Sequence, residues 1–173
     1  SLRDLPTLRI GGPARLLSSI PNPVIASRVR AVARERDLPW TALGAGSNVL
    51  ADDRGYPGLV LRVTDARLHR DGIRLTVGAG IAFDALIEAS LDAGLTGLEF
   101  ASGVPGTLGG ALAGNAGCYG HEIAEFVREA TVLRRDGRIE TIGAGEFGFA
   151  YRHTEVRETG DLILQVTLAL TGG

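Results

Sequence analysis

The sequence contains no lysine, so all 18 of its basic residues are arginine. This excludes chemistries that need a lysine amine, such as a P-loop lysine, a Schiff base with pyridoxal phosphate or a lysine general base. The net charge is -2, so no large basic surface is available for nucleic acid or anionic lipid. We therefore predict no nucleic-acid partner and no membrane insertion.

Sulfur-containing residues are nearly missing as well. Cys118 is the single cysteine and cannot form an internal disulfide, and no charged segment followed by an apolar one opens the chain. We therefore expect a cytoplasmic protein in which Cys118 is a small packing residue. Methionine is absent and the chain starts at Ser1, so we expect that a longer protein has been trimmed.

Patterns for metal binding and for nucleophilic catalysis are also missing. His69, His121 and His153 match no zinc spacing, and no second histidine completes the helical zinc motif that His121 and Glu122 would begin. No nucleophile elbow is present. The sequence therefore predicts no metal site and no hydrolase of that type.

Residues 101–120 carry no charge and include seven glycines. They are too interrupted for a membrane span, because Pro105 and Asn115 break the apolar run. They are too apolar for a flexible linker, because Leu108 and Leu112 occur where solvated residues would be needed. Two interpretations stay open from residue types alone: a tightly packed turn-helix-turn, or a platform for a ligand.

The residues that are present predict an α+β protein. With 173 residues, 45% of them hydrophobic, the chain fits one domain or two small lobes. In the first part we predict a short strand that starts at Pro6 and enters a Gly-Gly-Pro turn at 11–13, a helix after Asn22 as far as Arg36, and strands at 40–43 and 59–63, the last following a turn at 55–58. The expected apolar stripe of that helix consists of Val24, Ile25, Val29 and Val32. This order is a small β-α-β-β lobe.

The second part has the pattern of an antiparallel α+β lobe. Asp71-Gly72 and residues 135–138 predict two hairpins. Between the hairpins, Phe83 begins a helical stripe that ends near Gly94, and residues 162–170 predict a final long strand.

Two short motifs are candidates for binding. Residues 44–48, Gly-Ala-Gly-Ser-Asn, follow a predicted strand, so their backbone N–H groups could converge on an anion, although the same pattern is common in simple turns. The apolar segment before Tyr151 and Arg152 predicts that Arg152 is partly buried. Its guanidinium then needs an anionic partner, either a protein carboxylate or a ligand.

Five segments together resemble the UDP-N-acetylenolpyruvoylglucosamine reductase family: residues 6–13, 43–50, 97–110, 115–120 and 149–154. Their order and spacing match over nearly the whole chain. The resemblance implies the two-lobed FAD-binding fold of the vanillyl-alcohol-oxidase type, with one lobe at 1–64 and the other at 65–173. It also implies FAD as cofactor, NADPH as hydride donor and a UDP-sugar enolpyruvyl ether as substrate, in peptidoglycan synthesis.

The same resemblance implies roles for individual residues. Arg152 matches the arginine near the substrate carboxylate that stabilises an enolate-like intermediate, and Tyr151 adjoins it as a substrate-binding residue. The implied cofactor-binding residues are Gly44, Ala45, Gly46, Ser47, Asn48, Ser102, Gly103, Val104, Gly106, Thr107, Gly109, Gly110, Asn115, Gly117, Tyr119 and Ile163. Ile163 is assigned by its spacing, as an apolar contact to the flavin ring.

The chain departs from the family at its end. The family's proton-donating serine and a late glutamate lie in a third domain, and this sequence stops at Gly173 before either. We therefore expect a chain that holds FAD without completing turnover by itself. Two alternatives stay open: a different oxidoreductase on the same flavin fold, and a nucleotide-binding module without catalysis.

Overall fold

The computed structural model describes residues 11–173. The predicted strand before the Gly-Gly-Pro turn therefore lies outside the described residues, and residues 11–13 of that turn belong to neither a helix nor a strand. The α-helices are α1 (Pro23–Glu35), α2 (Phe83–Asp92), α3 (Leu108–Ala113) and α4 (Glu155–Thr159). None of the helices in this part of the chain is long and apolar enough to cross a membrane.

The strands lie in four sheets within residues 11–173. They are β1 (Ala14–Ile20), β2 (Trp40–Ala42), β3 (Tyr56–Val63), β4 (Leu68–Asp71), β5 (Arg74–Gly78), β6 (Leu95–Thr96), β7 (Gly117–Cys118), β8 (His121–Glu122), β9 (Val127–Leu133), β10 (Ile139–Gly143), β11 (Leu162–Ala169) and β12 (Thr171–Gly172). Short 3₁₀ turns occupy Glu99–Ala101, Ile123–Glu125 and Ala144–Phe147.

The N-terminal sheet has the order β1-β3-β2, and both of its pairings are parallel. The predicted helix is confirmed as α1: the Asn22 side chain accepts a hydrogen bond from the Ile25 N–H at 3.0 Å and Pro23 starts the first turn. The predicted stripe is wrong in part, because Val24 is 60% and Val32 48% exposed. Ala26 and Ala33 are the residues of α1 that are fully buried, since small side chains let a helix pack closely.

Two features of this sheet differ from the sequence predictions. β1 (Ala14–Ile20) was not predicted. Its residues 15–17 are all exposed, so the strand lacks the alternation of buried and exposed residues that a sequence pattern could show. The turn predicted at 55–58 is wrong in part, because β3 already starts at Tyr56. A register shift between β1 and β3 accommodates Pro57, and Gly58 is needed because a β-carbon there would lie 2.1 Å from the Pro39 carbonyl oxygen.

The C-terminal sheet has the order β10-β9-β11-β5-β4, with every pairing antiparallel. Both predicted hairpins are confirmed, and the turn glycines Gly72 and Gly137 have φ of 59° and 100°. The predicted second helix is confirmed as α2, followed by Gly94 with φ 67°.

Apolar residues form one large core, one small core and a minor cluster of Leu43 and Val60. The large one lies between the C-terminal sheet and helices α2 and α3, and includes Phe83, Leu86, Leu112 and Val166. The small one combines residues of both sheets: Ile20, Ala26, Ala33, Trp40, Leu59, Leu61, Leu133, Leu162 and Leu164. The two sheets therefore share apolar packing, and the boundary between residues 64 and 65 stays a prediction.

Candidate functional site

The loop at residues 44–48 follows β2, as the sequence predicts for an anion-binding loop. Gly46 is buried and has φ 76°, a backbone conformation that favours glycine. No acceptor for the N–H groups of Ala45, Gly46 and Asn48 is found among residues 11–173. Backbone N–H groups that have no protein acceptor can bind an anion, so these amides are suited to hold an anionic group.

The loop is held against the glycine-rich stretch. Ser47 Oγ donates a hydrogen bond to the Pro105 carbonyl at 2.8 Å. A β-carbon at residue 44 would lie 2.8 Å from Thr107 Oγ1, and one at residue 106 would lie 3.2 Å from Ser47 Oγ. Glycine at 44 and 106 therefore allows two segments that are far apart in sequence to pack closely.

The stretch at 101–120 contains a turn and a short helix, α3, so the turn-helix-turn interpretation describes its shape. Thr107 caps α3 by accepting a hydrogen bond from the Gly110 N–H at 3.3 Å. Gly109 N–H donates to the Ala79 carbonyl at 2.8 Å, and a β-carbon on Gly109 would lie 3.0 Å from the Ala79 β-carbon. Gly109 is thus a packing glycine at the same time as it faces the cavity described next.

A cavity of about 650 Å³ lies between the loop, α3 and the start of β11. This is an ordinary size for a ligand site. Its walls include Ala42, Leu43, Gly44, Ala45, Gly46, Ser47, Asn48, Val49, Val63, Ala79, Val104, Pro105, Gly106, Thr107, Gly109, Gly110, Ala111, Ala113, Gly114, Ala116, Arg152, Arg157, Asp161, Leu162 and Ile163. Backbone amides thus lie at one end, and small and branched apolar groups make up most of the rest.

The structure brings most of the predicted site residues together in this cavity. Those that line it are Gly44, Ala45, Gly46, Ser47, Asn48, Val104, Gly106, Thr107, Gly109, Gly110, Arg152 and Ile163. The six predicted residues that do not line it are Ser102, Gly103, Asn115, Gly117, Tyr119 and Tyr151. Their assignments stay predictions.

Asn115 is among those six and has a clear scaffold role. It is fully buried with φ 44°, and its Nδ2 donates to Glu122 Oε2 at 2.7 Å and to the Ala150 carbonyl at 3.0 Å. Its Oδ1 accepts a hydrogen bond from the Ala124 N–H at 3.3 Å. Asn115 therefore ties the end of the glycine-rich stretch to the turn that carries Arg152.

Arg152 lies at the tip of a two-residue turn closed by hydrogen bonds between Ala150 and His153. The prediction that Arg152 is partly buried is wrong, because this turn projects and both Tyr151 and Arg152 are exposed. Arg152 has φ 56°, which is costly for a residue with a side chain and is often found at functional sites. Its Nη2 donates to the Gly117 carbonyl at 2.9 Å, and no carboxylate pairs with it within residues 11–173.

Two charged residues of the cavity were missed by the sequence analysis. Arg157 is exposed in α4 and donates from Nη1 to the Arg152 carbonyl at 3.3 Å. Asp161 is 7% exposed and precedes β11. Thr154 is a helix-capping residue that marks the start of α4, the helix that carries Arg157, and this cap was the available sequence signal for Arg157. No local pattern marked Asp161.

Metal ligands do not assemble in the described part of the chain, where no three residues of the types His, Cys, Asp and Glu could hold an ion. Among residues 11–173, the charged side chains that line the cavity are Arg152, Arg157 and Asp161. The carboxylate of Asp161 is already bonded to Arg134 Nη1 at 2.9 Å. The cavity is therefore suited to an anionic ligand with a large apolar part.

A family model described as "FAD binding domain" matches residues 26–143. UDP-N-acetylenolpyruvoylglucosamine reductase 2 of Symbiobacterium thermophilum is 43% identical over 166 residues, which are 95% of this chain and 54% of that protein. The UDP-N-acetylenolpyruvoylglucosamine reductase of Streptococcus pyogenes serotype M5 is 38% identical over 95% of this chain and 56% of its own length. The chain thus spans about half the length of these curated relatives.

Solved structures give the same picture. The UDP-N-acetylenolpyruvylglucosamine reductase of Thermus caldophilus superposes with a TM-score of 0.84 at 32% identity, over 99% of this chain and 60% of that one. A solvent-stable cholesterol oxidase superposes with a TM-score of 0.72 at 20% identity, over 91% of this chain and 35% of that one. At this identity the similarity supports a shared fold and nothing about function. The predicted fold class, α+β with a two-lobed FAD-binding fold, is confirmed.

Proposed function

The chain belongs to the FAD binding domain family, and we propose that it is the flavin-binding part of a UDP-N-acetylenolpyruvoylglucosamine reductase. The reaction is the reduction of a UDP-sugar enolpyruvyl ether with NADPH, which yields UDP-N-acetylmuramate for peptidoglycan. We expect this reductase to act in the cytoplasm.

The observation that carries the proposal is the cavity between residues 44–48 and α3. Its amide-lined end fits a pyrophosphate, because the N–H groups of Ala45, Gly46 and Asn48 have no acceptor within residues 11–173. Its apolar wall, which includes Ala79, Val104 and Ile163, fits a flat ring system. The residues present therefore fit FAD.

The chemistry that FAD supplies in this site is hydride transfer, from NADPH to the double bond of the substrate. The chain's own contribution is position and charge. Residues 44–48 bind the anionic part of the cofactor, and Ile163 and Val104 exclude water from the wall of the cavity. The acid that protonates the substrate is assigned to no residue of this sequence.

Arg152 binds the carboxylate of the enolpyruvyl group in this proposal. Its guanidinium lies at the cavity and is not paired with a protein carboxylate within the described residues. The nearby Arg157 adds positive charge at the same rim. Two cations at this edge stabilise the negative charge that grows on the substrate during hydride transfer.

Two substitutions test the proposal by separating flavin binding from reduction. Gly46→Val is expected to abolish FAD retention, because the site is buried and φ is 76°. Gly72→Val is the matched control, since φ is 59° there and nothing lies within 4 Å of its β-carbon position. The measurement is the visible absorbance of flavin after purification and the dissociation constant for added FAD.

Arg152→Ala in the intact reductase is expected to retain FAD but to lower kcat/KM for the enolpyruvyl substrate by about 10²-fold or more. Alanine leaves the backbone strain at residue 152 nearly unchanged, so the variant reports on the guanidinium. Loss of flavin in Arg152→Ala, or full retention of flavin in Gly46→Val, would contradict the assigned roles.

A further inference from the structure

The turn between β9 and β10 carries an arginine that reaches across to the N-terminal sheet. The Cζ atom of Arg135 lies 3.9 Å from the centre of the Trp40 ring, at the start of β2. Its Nη1 donates a hydrogen bond to the Trp40 carbonyl at 2.8 Å. The guanidinium therefore contacts both the side chain and the backbone of Trp40.

Gly160 leaves the space that the Arg135 guanidinium occupies. A β-carbon at residue 160 would lie 2.1 Å from Arg135 Nη2 and 2.9 Å from Cζ. On the same side Arg135 Nε donates to the Thr159 carbonyl at 3.1 Å. The flat guanidinium thus lies between the Trp40 ring and the backbone at 159–160.

The backbone of Arg135 is held on both sides as well. Its N–H donates to Asp161 Oδ1 at 2.9 Å, and its carbonyl accepts hydrogen bonds from Nε and Nη2 of Arg30, the first at 3.0 Å. Arg135 thereby connects α1, β2, the β9–β10 turn and the segment between α4 and β11. Its side chain is paired with no carboxylate within residues 11–173, so its contacts go to Trp40 and to backbone carbonyls.

Both ends of this connection lead to the cavity. Trp40 starts the strand that continues into Ala42, Leu43 and the loop at 44–48, which form one wall. Asp161 belongs to the opposite wall with Leu162 and Ile163. The Asp161 side chain is 3% exposed, and its Oδ2 accepts hydrogen bonds at 2.9 Å from both Arg134 Nη1 and Thr159 Oγ1.

We propose that Arg135 is a positioning residue of the flavin site, which sets the distance between the wall at 44–48 and the wall at 161–163, and that Gly160 makes room for it. This inference rests on the proposed function, because it assumes that FAD occupies the cavity. Arg135 lies outside the cavity. Its side chain acts through Trp40 and the Thr159 carbonyl, which precedes the wall at 161–163, and its backbone N–H holds Asp161.

The test measures FAD affinity and the visible circular dichroism of the bound flavin in the protein loaded with FAD. Arg135→Leu is expected to weaken FAD binding about fivefold and to change the flavin dichroism, because it removes the side-chain contacts that join Trp40 to the Thr159 carbonyl while the backbone bond to Asp161 stays. Arg135→Lys keeps the charge but not the flat stack, so it is expected to recover little of the affinity. Arg138→Leu is the control in the same turn, since within residues 11–173 the Arg138 side chain pairs with Asp136 and Glu140 and with no group of the cavity.

Gly160→Ala and Gly94→Ala form a second, matched pair. Their φ values are 69° and 67°, so the backbone cost of alanine is nearly equal, but nothing lies within 4 Å of the β-carbon position of Gly94. Gly160→Ala is expected to weaken FAD binding as Arg135→Leu does, and to add little in the Arg135→Leu background. Gly94→Ala is expected to leave the affinity within twofold of the parent protein.

The outcomes are distinct. Affinity within twofold of the parent for Arg135→Leu, or equal behaviour of Gly160→Ala and Gly94→Ala, overturns the role of Arg135 while FAD binding by the parent protein stands. If the parent protein itself takes up no FAD, the proposed function is wrong and the positioning role falls with it. If Arg138→Leu weakens FAD binding as much as Arg135→Leu does, the positioning role of Arg135 is also overturned, because any change in the β9–β10 turn would then weaken FAD binding.

Discussion

The N-terminal region, residues 11–64, and the C-terminal region, residues 65–173, are stabilised in different ways. The first has a three-stranded parallel sheet, and its small core includes Leu133, Leu162 and Leu164 from the second. The second has a five-stranded antiparallel sheet, and its large core consists of its own buried residues. Burial of apolar surface is the main stabilising contribution, so the N-terminal region depends on the C-terminal one more than the reverse.

This difference matters for the site. The cavity has one wall from each region, and the loop at 44–48 comes from the region with the smaller core. A change that loosens the N-terminal region therefore alters the amide-lined end first. The apolar wall around Ile163 belongs to β11 in the centre of the larger sheet and is held more firmly.

The largest expected effect is on the free energy of unfolding, when either of two fully buried leucines is truncated. Leu86→Ala in the large core and Leu61→Ala in the small core each remove the same group, and each is expected to lower the free energy of unfolding by about 2–5 kcal/mol. In Leu86→Ala, fluorescence of the single tryptophan, Trp40, and far-UV circular dichroism are expected to change together. In Leu61→Ala, the Trp40 signal is expected to change at lower denaturant than the dichroism.

The inferred difference in stability between the two regions is contradicted if the two variants show the same relation between the Trp40 and dichroism transitions. Coincident Trp40 and dichroism transitions in both variants would mean that the two regions unfold as one cooperative unit. Leu164→Ala supports the test, because Leu164 belongs to the C-terminal sheet but packs in the small core. It is expected to behave like Leu61→Ala.

A smaller effect is expected at the connection between the regions. Asp65 is 7% exposed, and the side-chain hydrogen bonds from Arg67 hold the pKa of Asp65 below its ordinary value of 3.8. A lowered pKa in the folded protein stabilises it above the unfolded pKa, and this contribution is lost as the pH falls through the folded value. Because Arg67 is mostly exposed, we expect only about 1 kcal/mol at neutral pH.

Asp65→Asn measures this contribution. The difference in unfolding free energy between parent and variant is expected to be constant above about pH 5 and to shrink on acidification toward pH 3. A difference that does not change over that interval would contradict a role for the ionised Asp65. Asp136→Asn is the control, because Asp136 also pairs with an arginine, Arg138, but both side chains are more than half exposed.

The smallest effect is expected on α1. Val32→Ser is expected to change the free energy of unfolding by less than about 0.5 kcal/mol, because Val32 is 48% exposed. Ala33→Ser is expected to cost more, about 1 kcal/mol, because residue 33 is 1% exposed and would bury a hydroxyl. Thermal denaturation of both variants distinguishes the observed buried face from the predicted valine stripe. A larger destabilisation by Val32→Ser than by Ala33→Ser would mean that the valine stripe is the buried face.

Local patterns were sufficient for many elements. The Asn22 cap with Pro23, the Asp71-Gly72 turn and the alternation before Gly78 predicted α1 and the β4–β5 hairpin, because capping and turn chemistry involve residues that are neighbours in sequence. Pro57 was misleading, since its tolerance within β3 depends on the register shift against β1. Val24 and Val32 misled for a related reason: helical spacing does not show which face meets the sheet.

The features of the site can also be divided into those that the sequence predicted and those that only the tertiary structure revealed. The sequence by itself excluded lysine chemistry and marked residues 44–48 and 101–120 as glycine-rich segments suited to close approach or to binding, because both conclusions follow from residue types alone. Only the tertiary structure decided that Gly44 packs on Thr107, that Asp161 lines the cavity and that Arg152 is exposed. These contacts join residues distant in the chain, and the exposure of Arg152 depends on how its turn projects from the fold, so no local pattern encodes them.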